Sequence, residues 1–399
     1  MRFSERSRTL PASPIRRLEP YLQEAAKRGV RIHRLHIGQP DVETPELFFE
    51  KLRSFDQKTL SYGLSQGDQK LIGKIAEYYR NIDIPVDEGD VLVTNGGSEA
   101  LHFALLIACD PGDEVIVPEP FYPAYAAFAA SATAKLVPVT TKAETGFHLP
   151  QADEIEKLVT PSTKAILVSH PGNPTGTVYS RDEVEMLAGI AERHDLLLIA
   201  DEVYREFVYM DEPYCSFGHI KRVRDRLVIV DSVSKRYSAC GARMGCLVSK
   251  NKDFISLGLK YCQSRGCPPT LEQIGAAALY ETPASYVMEV NREYRTRRDI
   301  FHEGLRSIPG VVCEKPEGAF YIMARLPVDD AEKFVIWMLT EFSLDGETVM
   351  AAPAEGFYAT PGLGKTEVRM TYVLQQDDLK KAVRILAEGL SAYPGRKSD

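Results

Sequence analysis

Residues 228–245 read VIVDSVSKRYSACGARMG. The run opens as an apolar, β-branched segment suited to a buried strand, then places Asp231, Ser232, Ser234, Lys235 and Arg243 around its end. Burying an apolar strand requires none of these polar groups, so they are candidate functional residues. In an α/β fold, the carboxyl ends of the strands are where ligands bind.

Working outward from residue 90, short apolar runs alternate with longer amphipathic ones. VLVT, EVIVP, AKLVPV, KAILVSH, LLLIADE, RLVIVDS and GCLVS are the strand candidates. The stretches between them, such as SEALHFALLIACD and SRDEVEMLAGIAERHD, carry apolar residues at helical spacing with Asp or Ser at their starts. The pattern predicts an α/β fold: a large domain with a mostly parallel sheet of about seven strands flanked by helices. After about residue 285 it changes to a long charged helix (285–305), a strand-like GAFYIMARLP and a helix-like DDLKKAVRILAEGL. A smaller α+β domain is therefore expected. The expected boundaries are 1–45 for an amino-terminal segment of the small domain, 46–285 for the large domain and 286–399 for the rest of the small one. The charge run REYRTRRD reads as a solvated helix face, with Glu293 and Asp299 as local partners.

A chain of 399 residues, 44% hydrophobic and 26% charged, has ordinary globular composition. A net charge of −8 gives no basic excess to attract nucleic acid or anionic lipid, and points to a small-molecule partner. No apolar run approaches the ~20 residues of a membrane helix, and the start MRFSERSRTLPASPIRRLEP lacks the apolar middle of a signal peptide, so a cytoplasmic location is expected. Seven scattered cysteines without a C-x-x-C argue against a disulfide framework or a zinc site. RIHRLHIG holds an H-x-x-H, but no third ligand follows at useful spacing, so His33 and His36 read as structural and no metal is expected.

Three further strand ends carry candidate chemistry. In LLLIADEVYREF, Asp201 ends a buried run and Tyr204 follows three residues later; taken alone, the carboxylate reads as a cap for a following helix. In VSHPGNPTGTVYS, a strand enters a rigid turn that needs no particular amide before Pro174, which makes Asn173 a candidate hydrogen-bond donor. In VLVTNGGSEALHFALL, Gly96, Gly97 and Ser98 stand between a strand and a helix, where backbone amides can receive a phosphate, although a glycine pair also serves plain turn geometry. No G-x-G-x-x-G is present there, and TPGLGKT fails as a phosphate loop because Ala359 stands where its first glycine should be.

Lys235 supplies the nucleophile the other strand ends lack. A lysine amine forms a Schiff base with a carbonyl compound, and Ser232, Ser234 and Arg243 suit a dianionic phosphate. Lysine, phosphate ligands and a carboxylate at a neighbouring strand end together suggest pyridoxal 5'-phosphate (PLP), whose sites pair a lysine with an acidic partner at the ring nitrogen.

The chain resembles the class I/II aminotransferases, the fold type I PLP enzymes with the aspartate aminotransferase fold, nearly end to end. The resemblance runs through LHIGQPDVETPE, SYGLSQG, TNGGSEAL, DPGDEVIVPEPFYPAY, PGNPTG, ADEVY, SVSK followed by GARMG, PEGAFY and EVRMTY, in that order. It implies that Lys235 carries PLP and shuttles the substrate Cα proton, and that Asp201 keeps the ring nitrogen protonated. Asn173 and Tyr204 would bond the phenolic oxygen, and Tyr122 would stack on the ring. Gly97, Ser98, Ser232, Ser234 and Arg243 would hold the phosphate, with Tyr62 reaching in from the second subunit of a homodimer. Arg369 would clamp the substrate α-carboxylate with the Gly38 amide and Asn173. The implied activity is amino-group transfer from an L-amino acid, first aspartate, to a 2-oxo acid, first 2-oxoglutarate, by a ping-pong cycle. A β-lyase or decarboxylase on the same fold is the alternative, and a non-catalytic binding protein the least favoured. Two stretches depart from the family pattern: DQKLIGKIAEYY after SYGLSQG lacks a Leu-Arg pair, and the RGC of YCQSRGCPPTLEQ is unfamiliar.

Overall fold

The computed structural model describes residues 1–397, so the last two residues of the expected carboxy-terminal domain lie outside the described residues. All seven strand candidates form one sheet, in the order Val91–Thr94, Gly245–Val248, Leu227–Ser232, Leu197–Asp201, Thr163–Ser169, Glu114–Glu119, Lys135–Thr140. Only Gly245–Val248 runs against its neighbours, pairing antiparallel on both sides. The other pairs are parallel. Thr94, Ser169, Asp201 and Ser232 therefore end at one edge of the sheet.

Strand side chains alternate between faces. Leu198, Ala200 and Ile229 join a core with the helices Gln69–Asn81 and Arg181–Arg193. Ile199, Val228 and Val230 join the opposite core with the helices Gly96–Ala108 and Lys252–Arg265. With both faces covered, the polar ends are what the strands leave for a ligand.

A second core gathers the helices Ala284–Arg306, Ala331–Thr340 and Gln376–Ala392 around a three-stranded antiparallel sheet, Ala352–Pro353, Glu367–Thr371 and Tyr321–Arg325. The amino-terminal segment packs there too. Leu18, Leu22 and Leu35 lie in this core, and Arg31–Arg34 pairs parallel with Glu347–Met350. The expected solvated face on the long helix is corrected in part. Arg297 and Arg298 are buried, because Arg297 reaches beyond Glu293 (2.7 Å) to Asp41 (2.6 Å), and Arg298 donates to the Pro316 carbonyl as well as to Asp299. Among the described residues no helix is long and apolar enough to cross a membrane.

Candidate active site

A cavity of about 600 Å³ opens where the sheet's carboxyl edge meets the second core. Every candidate site residue except Tyr62 lines it. Tyr62 is 95% exposed and does not line its own chain's cavity; Leu60 and Leu64, near it in sequence, are exposed too.

Lys235 sits on a one-turn helix, Val233–Arg236, that begins where its strand stops. Ser232 caps that turn: its Oγ accepts the Ser234 N–H at 3.0 Å and lies 2.7 Å from Ser234 Oγ. Beneath the turn, Asp231 accepts from Arg236 (2.7 Å), Arg205 (3.4 Å) and Tyr79 (3.2 Å). Burial alone would raise the Asp231 pKa, but the Arg236 and Arg205 guanidiniums override it and hold the carboxyl below the usual range. Buried Glu202 closes the network through Arg205 and Ser216. The polar floor thus fixes the lysine turn, while Lys235 Nζ makes no ion pair among the described residues. Nζ donates to the Gly38 carbonyl at 2.7 Å and lies 3.8 Å from Cys240 Sγ.

Asp201 is not a helix cap, since turns follow it and its carboxyl is buried. Its Oδ2 accepts from Tyr125 at 2.7 Å, while Oδ1 is buried without a partner. Burial raises its pKa from 3.8 to about 6, the Tyr125 hydrogen bond only partly opposing the shift. A carboxyl in that position lacks a cation. Arg243 is the converse, a guanidinium with no carboxylate partner among the described residues. It donates to the Cys240 carbonyl at 3.0 Å and packs so closely on Gly96 that a Cβ there would stand 2.5 Å from Nη2. The helix Gly96–Ala108 starts beside it, with Gly97 and Ser98 of its first turn lining the cavity.

Arg369, 2% exposed, has no ion pair among the described residues. Its Nη1 donates to Asn173 Oδ1 at 3.3 Å, its Nη2 donates to the His36 carbonyl, and its Nε is buried without a partner. The Tyr321 and Phe357 rings flank its guanidinium, 4.7 and 5.2 Å from their centroids. Burial pulls its pKa down. Asn173 spends its oxygen on Arg369, so its amide N–H groups are free to donate elsewhere. Tyr204 Oη meets Tyr321 Oη at 2.6 Å, and a Cβ on Gly38 would stand 2.0 Å from the same Tyr321 oxygen. Tyr122 is half-buried against the edge of Tyr125.

Sequence reasoning missed Tyr125, Tyr321 and Cys240, all close to these groups or lining the cavity, and read His36, which also lines it, as structural. Tyr125 and Tyr321 lie in quoted motifs, PFYPAY and PEGAFY, but nothing local to either motif reveals its partner across the fold. Chemically, the cavity offers an amine, a carboxyl and three guanidiniums, those of Arg16, Arg243 and Arg369, none of them in an ion pair among the described residues. Such a set fits a group bearing a carbonyl, a basic ring nitrogen and a phosphate, with a carboxylate as second guest.

The family described as "Aminotransferase class I and II" matches residues 31–386. The chain is 31% identical over 394 residues to the aspartate aminotransferase of Thermotoga maritima, covering 98% of this chain and 99% of that one. It is 31% identical over 373 residues to the aspartate/prephenate aminotransferase of Thermus thermophilus, covering 92% and 93%. The solved structure of Thermus thermophilus aspartate aminotransferase with maleate matches with a TM-score of 0.89 at 29% identity, covering 98% of this chain and all of that one.

Proposed function

The chain belongs to the class I and II aminotransferases, a PLP-dependent family acting on amino and 2-oxo acids, and from that premise we propose which residues do the work and on what substrate. PLP fits the residues present: Asp201 Oδ1 is a buried acceptor without a partner, and Arg243 is a guanidinium without an anion. In this reading Lys235 holds the cofactor, Asp201 faces the ring nitrogen, Tyr204 and Asn173 face the phenolic oxygen, and Tyr122 covers the ring. Gly97, Ser98, Ser232, Ser234 and Arg243 take the phosphate. When bound, PLP supplies a conjugated ring that accepts the electron pair released at the substrate Cα.

The chain's own residues orient the substrate and move its proton. Arg369 binds the α-carboxylate, with Asn173 and the Gly38 amide beside it, so that Cα is presented to Lys235. Lys235 Nζ, held 2.7 Å from the Gly38 carbonyl, removes the Cα proton as an amine and returns it as an ammonium. Asp201, anionic once it has a cation to face, keeps positive charge at the ring nitrogen. The observation that carries this reading is the buried, unpartnered Asp201 Oδ1 in the same cavity as Lys235.

Aspartate as donor and 2-oxoglutarate as acceptor form the proposed substrate pair, supported by the names of the relatives. The proposal extends to a homodimer in which Tyr62 completes the second subunit's site, supported by its 95% exposure, and to the domain limits 1–45 with 286–399 and 46–285. A half-reaction tests the activity. Aspartate added to the holoenzyme should convert the bound cofactor to its amine form and release one oxaloacetate per site; no conversion with aspartate, together with release of pyruvate, ammonia and chloride from β-chloroalanine, would overturn the reading in favour of β-elimination.

A further inference from the structure

Outside the cavity, His148 bridges the sheet's core and the second core. Its Nδ1 lies 2.9 Å from Glu183 Oε2 and its Nε2 3.4 Å from Glu317 Oε2. Glu183 stands in the first turn of the helix Arg181–Arg193, whose Val184 and Leu187 lie in the sheet's core, whereas Glu317 leads into the strand Tyr321–Arg325 of the second core. A carboxylate oxygen only accepts, so a ring with an acid at each nitrogen carries both protons and is a cation. The hydrogen bonds to Glu183 and then Glu317 push its pKa up to about 10, against burial, so it is charged at pH 7. Among the described residues neither acid has another ion pair. In the adjoining recess, lined also by Glu314, Lys315 is paired with Asp299 at 2.8 Å and Glu144 with Arg325 at 3.6 Å.

We infer that His148 is a positioning residue for the substrate clamp: by joining Glu183 to Glu317 it holds the Asn173 turn and the Tyr321 strand together across the seam between the two cores. The inference rests on the transaminase reading of the cavity and adds a residue outside it. At the seam, the Gly176 carbonyl accepts the Glu317 and Gly318 N–H groups at 3.0 and 2.7 Å, and Glu317 Oε2 accepts the Val178 N–H at 3.1 Å. Thr177 Oγ1 donates to the Gly146 carbonyl at 2.7 Å, which ties the segment bearing His148 to the same turn. Just before Gly176, Asn173 accepts from Arg369 at 3.3 Å; just after Glu317, the Tyr321 ring lies 4.7 Å from the Arg369 guanidinium. Arg369 is thus steadied from both sides of the seam, so loosening the seam displaces the groups that fix it. Lys235, Ser232, Ser234 and Arg243 all belong to the sheet's side, so the cofactor residues are spared.

The test uses the holoenzyme and breaks the link from either side. H148Q removes the cation, and E317Q removes one charge while keeping an acceptor for Val178. Each should raise the KM for aspartate about tenfold with kcat within about twofold, a loss of substrate binding alone. PLP affinity should stay within about threefold of native. H148R, which keeps a cation between the acids, should recover part of the KM. The double variant should be no worse than the worse single one, since both break one link. Hydrogen exchange read by mass spectrometry, which needs no turnover, should quicken at residues 173–178 and 316–321 in both single variants and not at 228–236. An unchanged KM, an equal loss of cofactor affinity, additive effects in the double variant, or exchange that quickens equally in the lysine turn would each overturn the inference. If the native enzyme transaminates no amino acid, the parent reading fails, while the exchange pattern still decides whether His148 holds the seam.

Discussion

Tyr125 donates its hydroxyl to Asp201 Oδ2 at 2.7 Å, while Asp201 Oδ1, in the same buried carboxyl, has no partner. One oxygen is fixed by the protein and the other is left open. The arrangement is unfavourable to the empty fold, since burial holds the carboxyl at about 6 instead of 3.8. With the folded value raised, the folded state binds more protons than the unfolded chain between those two values. This carboxyl's contribution to stability is therefore full below pH 3.8 and is lost as pH rises through about 6.

Asp201→Asn removes that titration. The cofactor-free variant should be more stable than the cofactor-free native protein at pH 8, by up to roughly 3 kcal/mol, and the gap should close toward pH 4. Thermal melts across that range check it. The same variant should still bind PLP, seen by its absorbance, yet lose at least about 100-fold in kcat. Near-normal turnover would remove Asp201 from the mechanism.

Lys235→Ala deletes the one lysine amine that lines the cavity among the described residues. Turnover should fall by at least about 10³-fold, and borohydride should no longer fix the cofactor to the chain, as read by intact mass. A variant that transaminates normally would sink the whole assignment.

Arg369→Lys keeps the charge but loses the planar fork that reaches Asn173 and the His36 carbonyl. The kcat/KM for amino acids should drop roughly 100-fold. Arg369→Met should do worse in activity while stabilising the cofactor-free protein by about 1–4 kcal/mol, because it replaces a buried, uncompensated cation with an apolar side chain of similar size. Denaturant titration of both variants separates the two effects.

Gly38→Ala would push a methyl to within 2.0 Å of Tyr321 Oη, which holds Tyr204 Oη at 2.6 Å. Overpacking of this kind costs about 1–3 kcal/mol. It should lower kcat/KM by about tenfold or more through the displaced Tyr321. Adding Tyr321→Phe removes only the nearest atom, so a double-mutant cycle should show less-than-additive loss, whereas strict additivity would mean that the two residues act independently.

Much of this was legible in the linear sequence. Seven apolar runs bounded by turn residues became seven strands because alternation and burial are local properties of a sheet covered on both faces. The motifs at the strand ends were legible for the same reason: a polar residue closing an apolar run, such as Asp201, Ser232 or Thr94, must lie at the sheet's edge. The REYRTRRD run misled in part because charge alone does not reveal that Asp41, 256 residues before Arg297, draws that arginine into the interior.

Sequence by itself thus determined the sheet and the placement of the polar strand-end residues at one edge. Only the tertiary structure decided which of those residues are satisfied and which are left open. Tyr125 meets Asp201 across 76 residues, Tyr204 meets Tyr321 across 117, and Asn173 meets Arg369 across 196. Local propensity and periodicity act over a few residues, whereas hydrogen-bond partners across such separations are set by how whole elements pack. The unpartnered Asp201 oxygen and the unpartnered Arg369 Nε exist only once that packing is complete.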